Sequence, residues 1–314
     1  MSTRLVADVG GTHVRFALVD ERSTELRELQ SLDCRDFPEF TDAISAYLAA
    51  LAIDPPDSAC FAVAAVQPGD HIQMTNSAWS FSRRELQASF GFRRFQLVND
   101  FAAVALSLPR LQFQQLHALT PEFEVNPGDL LAIGPGTGLG GARLSAGSQV
   151  IPCEPGHAGL SPATELELEI FKLLRPAWGE VYAELLVSGP GLERLYQALA
   201  TLRGEPAPAL TAAQISANAV TGTDPLCRQA LEVFCALLGS AAGDFSVSAG
   251  AYGGVYLAGG IVPHIIHFLE QSDFLQRFVR KGAMEEQLRE VPVNIIRYQQ
   301  SGLLGAALWP LEAS

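Results

Sequence analysis

One device occurs twice in this chain and constrains its fold more than any other feature. Within residues 4–20, two β-rich runs flank a tight Gly10-Gly11-Thr12 turn, which is a hairpin pattern. About 125 residues later the apolar run Leu130 to Ile133 enters a glycine-rich turn, Gly134 to Gly141, and Ala142 to Leu144 returns. No period of 20–50 residues accompanies the pair, so the chain is not a solenoid. The expected architecture is two related α/β halves, each offering one glycine turn to a shared cleft.

The two turns have the chemistry of a polyphosphate site. Glycine lets the backbone approach an anion without a Cβ and lets successive N–H groups converge on it. Threonine adds a hydroxyl donor. Asp8-Val9-Gly10-Gly11-Thr12 and Gly136-Thr137-Gly138 both supply this set, and Asp8, at a strand end, is placed to orient waters around Mg²⁺. Gly136-Thr137-Gly138-Leu139-Gly140-Gly141 also matches the dinucleotide fingerprint G-x-G-x-x-G. That fingerprint must open a helix, whereas Ala142 to Ile151 reads as strand and turn. A P-loop pattern is absent from the sequence.

The formal charge of −13 argues against nucleic acid and anionic membranes as partners. A polyphosphate must then be held locally, by backbone N–H groups, a metal or a few placed side chains. With 314 residues, nearly half of them hydrophobic, two domains with their own cores are expected. The N-terminal residues carry no export pattern, and the five cysteines show no C-x-x-C spacing, which fits a reducing cytoplasm. The uncharged stretch Phe245 to Val262 is interrupted by five glycines, so it reads as a buried helix end, a core strand and a loop rather than a membrane span.

Between the turns, helical spacing runs from Pro38 to Leu51, and Cys60 to Val66 and Phe95 to Val98 read as strands. Ser82 and Glu85 suggest a capping box for a helix ending at Phe90. Asn99-Asp100 follows a strand directly, and a helix from Phe101 to Leu108 stops before Pro109. Helices are also expected from Glu165, over Leu192 to Leu199, over Leu226 to about Ala249, over Ile265 to Phe268 and over Gly302 to Leu308. Strands are expected at Gly254 to Ala258 and Val293 to Ile296. Asp100, at a strand's C-terminal end and a helix start, lies where ligand-facing residues gather in α/β sheets. From position alone, a catalytic base and a helix cap are equally good readings, and both roles can coexist.

Taken together, Asp8 to Thr12, Met74-Thr75-Asn76, Asn99-Asp100-Phe101, Gly136 to Gly140, Glu154, Gly156-His157, Ser188 to Leu192, Gly254 to Pro263 and Gly302 to Gly305 resemble the bacterial glucokinases that lack zinc, within the sugar kinase, Hsp70 and actin superfamily. The resemblance spans nearly the whole chain. It implies an actin-like (ribonuclease H-like) ATPase fold of two α/β domains, residues 1–109 plus 299–314 and residues 110–298, with ATP and sugar in the cleft and closure excluding water. It implies phosphorylation of glucose at the C6 hydroxyl, with Asp100 as base and Asn99, Asp100, Glu154, His157 and Glu184 lining the sugar site. Asp8, Gly10, Gly11, Thr12, Gly136, Thr137 and Gly138 would face the phosphates, and Gly259 and Gly260 the adenosine. Mg²⁺ would arrive with ATP and have no direct protein ligand, Asp8 acting through water. A cytoplasmic homodimer is also implied. His13, Val66 and Pro155 depart from the usual family residues, as does Ala158-Gly159-Leu160-Ser161, which lacks an Asp-Phe. A kinase for another hexose or an N-acetylated amino sugar, or a non-catalytic sugar-responsive relative, would share much of this pattern.

Overall fold

The structure, a computed structural model, describes residues 3–20, 23–64, 69–74, 79–121 and 127–311. Val66, Thr75 and Asn76 lie outside the described residues. The chain divides into two compact units, Met1–Leu111 with Tyr298–Ser314, and Gln112–Arg297.

The first unit opens with β1 (Thr3–Val9), β2 (His13–Asp20) and β3 (Leu26–Asp33). It continues through α1 (Phe40–Leu51), β4 (Ser58–Val63), β5 (His71–Gln73), β6 (Ser80–Ser82), α2 (Arg83–Phe90), β7 (Arg94–Asn99) and α3 (Asp100–Ser107). Its sheet has the order β3-β2-β1-β4-β7, antiparallel across β1–β3 and parallel across β1, β4 and β7. Every residue of β4, Ser-Ala-Cys-Phe-Ala-Val, is buried, as expected of a central parallel strand covered on both faces. The polar β3 lies at the edge, where one face meets water. Phe16, Phe40, Tyr47 and Phe61 are fully buried and stack or meet edge-on beneath the sheet, Phe40 and Phe61 with centroids 5.5 Å apart.

The second unit runs β8 (Leu116–Ala118), β9 (Leu130–Pro135), β10 (Leu139–Leu144), β11 (Val150–Cys153), α4 (Glu165–Trp178), α5 (Ala183–Leu186) and α6 (Gly189–Arg203). Then come α7 (Ala212–Thr221), α8 (Pro225–Ala249), β12 (Gly254–Leu257), α9 (Ile266–Gln271), α10 (Phe274–Val279), α11 (Glu285–Arg289) and β13 (Val293–Ile296). The sheet order is β11-β10-β9-β12-β13-β8. Its first five strands repeat the first unit's arrangement: an antiparallel trio and then two strands parallel to the trio's first strand. The two related halves expected from the glycine turns are therefore present in the topology. In α8, the one described helix long and apolar enough to span a bilayer, 83% of the apolar window is buried inside the protein, so it is a core helix.

The chain then returns to the first unit as α12 (Ser301–Leu308). Arg4 on β1 donates from Nη1 to the carbonyls of Ala307 (2.9 Å) and Trp309 (2.8 Å), satisfying groups that a helix C-terminus leaves open. Along the same helix, Gly305 lies so near α3 that a Cβ there would overlap the Ala103 carbonyl. Gly305→Ala is accordingly expected to lower stability by about 1–3 kcal/mol through overpacking. The thermal midpoint is the readout, and an unchanged midpoint would contradict this close crossing.

Several boundaries differ from the sequence expectation, for identifiable reasons. Asp100 is not the cap of α3: Asn99 is, its Oδ1 accepting from Ala102 N at 3.0 Å, and Asp100 is the first helical residue. The α-helix ends at Ser107, ahead of Pro109 as expected, and a 3₁₀ turn, Leu108–Arg110, follows it. Ser82 caps α2 through Glu85 N, but the reciprocal half of the capping box is not formed. Asp70 adds a different support, accepting from Arg84 N (2.9 Å) in the helix's first turn and from the Ser82 hydroxyl (2.6 Å). The second glycine turn is tighter than expected, since Gly134 and Pro135 belong to β9 and Leu139 to Gly141 to β10. The G-x-G-x-x-G match thus enters a strand. All five cysteines are free. Burial pushes the Cys60 and Cys235 thiols up to about 12, which suits packing rather than thiolate chemistry.

Candidate active site

In the first unit, parallel pairing brings the expected residues to one sheet edge. Val9, Val63 and Asn99 are in register across β1, β4 and β7. The Gly10–Thr12 turn and the Asn99-Asp100 pair therefore leave the sheet at the same C-terminal edge, two strand spacings or roughly 10 Å apart. The turn is pinned from behind: Gly10 N donates to the His13 carbonyl (3.0 Å), and Cys34 N donates to the Thr12 carbonyl (2.9 Å). His13 thus serves the turn through its backbone, and Thr12 stays exposed. Asp100 is half-buried, and its Oδ1 accepts from Phe101 N at 2.8 Å.

Asp8 pairs across the hairpin with Arg15, whose Nη1 lies 3.6 Å from its Oδ2. Burial pushes the Asp8 carboxyl above its ordinary range, and the Arg15 guanidinium draws it part of the way back. Gly302, in the first turn of α12, faces this carboxyl: a Cβ there would stand 2.9 Å from Asp8 Cγ. The carboxylate keeps a fifth of its surface exposed. An oxygen donor held in this way fits a hydrated hard cation such as Mg²⁺.

In the second unit, three segments distant in sequence meet at Glu184. Its Oε2 accepts from Leu139 N at 2.9 Å, immediately after the Gly136-Thr137-Gly138 turn. Gly138 lies so close that any Cβ would run into this carboxylate. Gly156 is the other neighbour: a Cβ there would be 2.6 Å from the Leu139 carbonyl and 3.2 Å from Glu184 Oε2. Glu154 stands at the cap position of a 3₁₀ turn, Pro155–His157, whose Pro155 and Gly156 are buried while Glu154 and His157 are exposed, and the His157 ring faces Tyr182 at 5.9 Å between centroids. The departure at Pro155 is accommodated, because proline suits the first position of such a turn and is buried here. Cys153, beside Glu154, is half-buried, and burial raises its thiol's pKa.

The same turn is braced from α6. Gly189 N donates to the Gly136 carbonyl (2.8 Å), and Ser188, the cap of α6, donates to the Glu184 carbonyl (2.8 Å). Thr137 is exposed at the tip. Gly259 and Gly260 follow β12, the strand beside β9, so both glycine turns of this unit leave neighbouring parallel strands at their C-terminal ends. Ligands bind at such ends in open α/β sheets. Sequence reasoning assigned Leu139 and Tyr182 no part in the site, and it had Ser188 only as the opening of a helix. The structure bears out that opening, since Ser188 caps the helix by accepting from Gly191 N.

A family model described as Glucokinase matches residues 5–313. A glucokinase of Saccharophagus degradans is 41% identical over 311 residues, covering 97% of each chain. A glucokinase of Aromatoleum aromaticum is 41% identical over 308 residues, covering 97% of this chain and 93% of its own. Among solved structures, glucokinase from an Antarctic psychrotroph superimposes with a TM-score of 0.84 at 36% identity, covering 98% of both chains. Glucokinase from Balamuthia mandrillaris, solved in complex with glucose, shares the fold at 22% identity and a TM-score of 0.83, covering 98% of this chain and 93% of its own. The twin-turn α/β architecture is thus the actin-like fold of the sugar kinases, and the chain belongs to the glucokinase family.

Proposed function

We propose that this protein transfers the γ-phosphoryl group of ATP to the C6 hydroxyl of glucose, yielding glucose 6-phosphate and ADP. The meeting of the Gly136–Gly138 turn, the Glu154–His157 turn and Glu184 supports this reading most, because it joins phosphate-type donors to hydroxyl-binding side chains. Asp100 accepts the C6 hydroxyl proton as the oxygen bonds to phosphorus and the bond to the ADP oxygen breaks. Asn99 has its Oδ1 committed to the helix cap, so it meets the sugar through its amide N–H₂. Glu154, His157 and Glu184 pair with ring hydroxyls. A site of this kind rejects sugars that leave its polar groups unpaired.

Gly11 and Thr12 in one unit, and Thr137 and Gly138 in the other, donate backbone and hydroxyl hydrogen bonds to phosphate oxygens as charge shifts toward the leaving group, while the Gly10 and Gly136 N–H groups close their own turns on the His13 and Gly138 carbonyls. Gly259 and Gly260 lie against the adenosine. Mg²⁺ carried by ATP supplies positive charge to the phosphates, and Asp8 orients its waters. The free cysteines favour the cytoplasm as the compartment. A homodimer is proposed on the family resemblance, and light scattering on the purified protein tests it.

The decisive assay is ATP consumption with Mg²⁺ and, separately, glucose, mannose, fructose, galactose, N-acetylglucosamine and no sugar. Turnover is expected with glucose far above the others and none without sugar. A different preferred sugar would relocate specificity to Glu154, His157 and their neighbours. ATP loss without sugar would overturn the kinase reading.

A further inference from the structure

We infer that Glu184 is also the positioning residue for the second phosphate turn, so that one carboxylate serves both substrates. The inference rests on the proposed role of Glu184 as a sugar contact and adds a second task. Oε2 accepts the Leu139 N–H, the first backbone donor after Gly136-Thr137-Gly138. A side chain 45 residues away thereby fixes where the turn re-enters the sheet. The absence of a Cβ at Gly138 lets the carboxylate lie directly against the turn, and Gly156 closes the other side. From the opposite direction, Gly189 N holds the Gly136 carbonyl, while Ser188, which caps that helix, bonds the Glu184 carbonyl. The turn is therefore clamped at both ends by one short stretch of chain, Glu184 to Gly189.

A purely sugar-facing carboxylate would need none of this. Because the carboxylate is shared, any rearrangement of Glu184 on sugar binding acts on the turn, and nucleotide binding acts back on the carboxylate by the same factor.

The test separates the two tasks. Binding of MgADP is measured without sugar, and binding of glucose without nucleotide, for the wild type, Glu184→Ala, Glu184→Gln and Glu184→Asp. Glu184→Ala removes the acceptor for Leu139 N and is expected to weaken MgADP binding about tenfold, the scale of one lost hydrogen bond. Glu184→Gln keeps an acceptor oxygen, so MgADP binding should stay within about twofold of wild type while glucose binding weakens. Glu184→Asp keeps the charge but withdraws it by one methylene. It is expected to weaken MgADP binding in the same direction as Glu184→Ala, and it serves if the alanine variant does not fold. Wild-type MgADP binding in both Glu184→Ala and Glu184→Asp, with glucose binding weakened, would overturn the positioning role and leave a sugar contact only. Weakened MgADP binding with unchanged glucose binding would instead overturn the sugar contact and leave the positioning role standing.

Discussion

Replacing Asp100 with Asn is expected to lower kcat by about 10²–10⁴-fold, the usual contribution of a positioned general base. Glucose KM should change little, because asparagine still pairs with a hydroxyl. The fold should persist as well. Asp100 is not the helix cap, and an asparagine oxygen can accept from Phe101 N as the aspartate does now. Circular dichroism and the thermal midpoint check that half of the expectation, and steady-state kinetics the other. Turnover within about threefold of wild type would falsify the base assignment.

The largest stability effect is expected at Glu167. This carboxylate, in the first turn of α4, is 3% exposed, and Arg277 of α10 is 6% exposed. The guanidinium holds it in a fork, Nη1 to Oε1 at 2.5 Å and Nη2 to Oε2 at 3.1 Å, while Arg277 Nε donates to Ser240 of α8. Oε2 also accepts from Ala163 N at 2.7 Å. Glu167→Ala leaves a guanidinium buried without its counter-charge and should cost about 3–5 kcal/mol. The double variant Glu167→Leu with Arg277→Met should recover most of that loss, since a buried ion pair gains little over well-packed apolar side chains. Denaturant unfolding of all three proteins decides the matter. A single variant within about 1 kcal/mol of wild type would show the pair to be solvated.

The fold class was legible because its signature is local: apolar runs, and glycine where backbone must turn tightly. Both hairpins fall within a few residues of where the sequence puts them. Elements carried by tertiary context were not legible. β3, Leu-Arg-Glu-Leu-Gln-Ser-Leu-Asp, is an edge strand whose polar face hides its period. α7, Ala-Ala-Gln-Ile-Ser-Ala-Asn-Ala-Val-Thr, has a diluted apolar stripe, though its Thr211 and Gln214 capping box was available as a start signal. At α2 the cap, Ser82, was legible, but its second support was not, because Asp70, 14 residues before Arg84, supplies it. The candidate site divides in the same way. The glycine turns and Asp100 could be proposed from residue type and position. Glu184 could not, because on its own it is an ordinary helix carboxylate. The family resemblance singled it out by its distance before Ser188 to Gly191, and the hydrogen bond to Leu139 N, 45 positions away, supplies a physical reason that the sequence could not show.

The return of α12 to the first unit has a consequence for biosynthesis. Residues 112–297 form a continuous stretch and can complete their core while the remainder is still being translated. The first unit cannot. Arg4 and the Asp8 carboxyl await Ala307, Trp309 and Gly302, which are translated only after the second unit. A nascent chain halted before Ser301 would carry a finished second unit beside a β1–β7 sheet with one apolar face uncovered, where Val6, Ala17 and Cys60 later meet Leu303 and Ala306. The segment that packs against the Asp8 carboxyl is thus made after the whole second unit, so the first unit, although begun earlier, completes its sheet later.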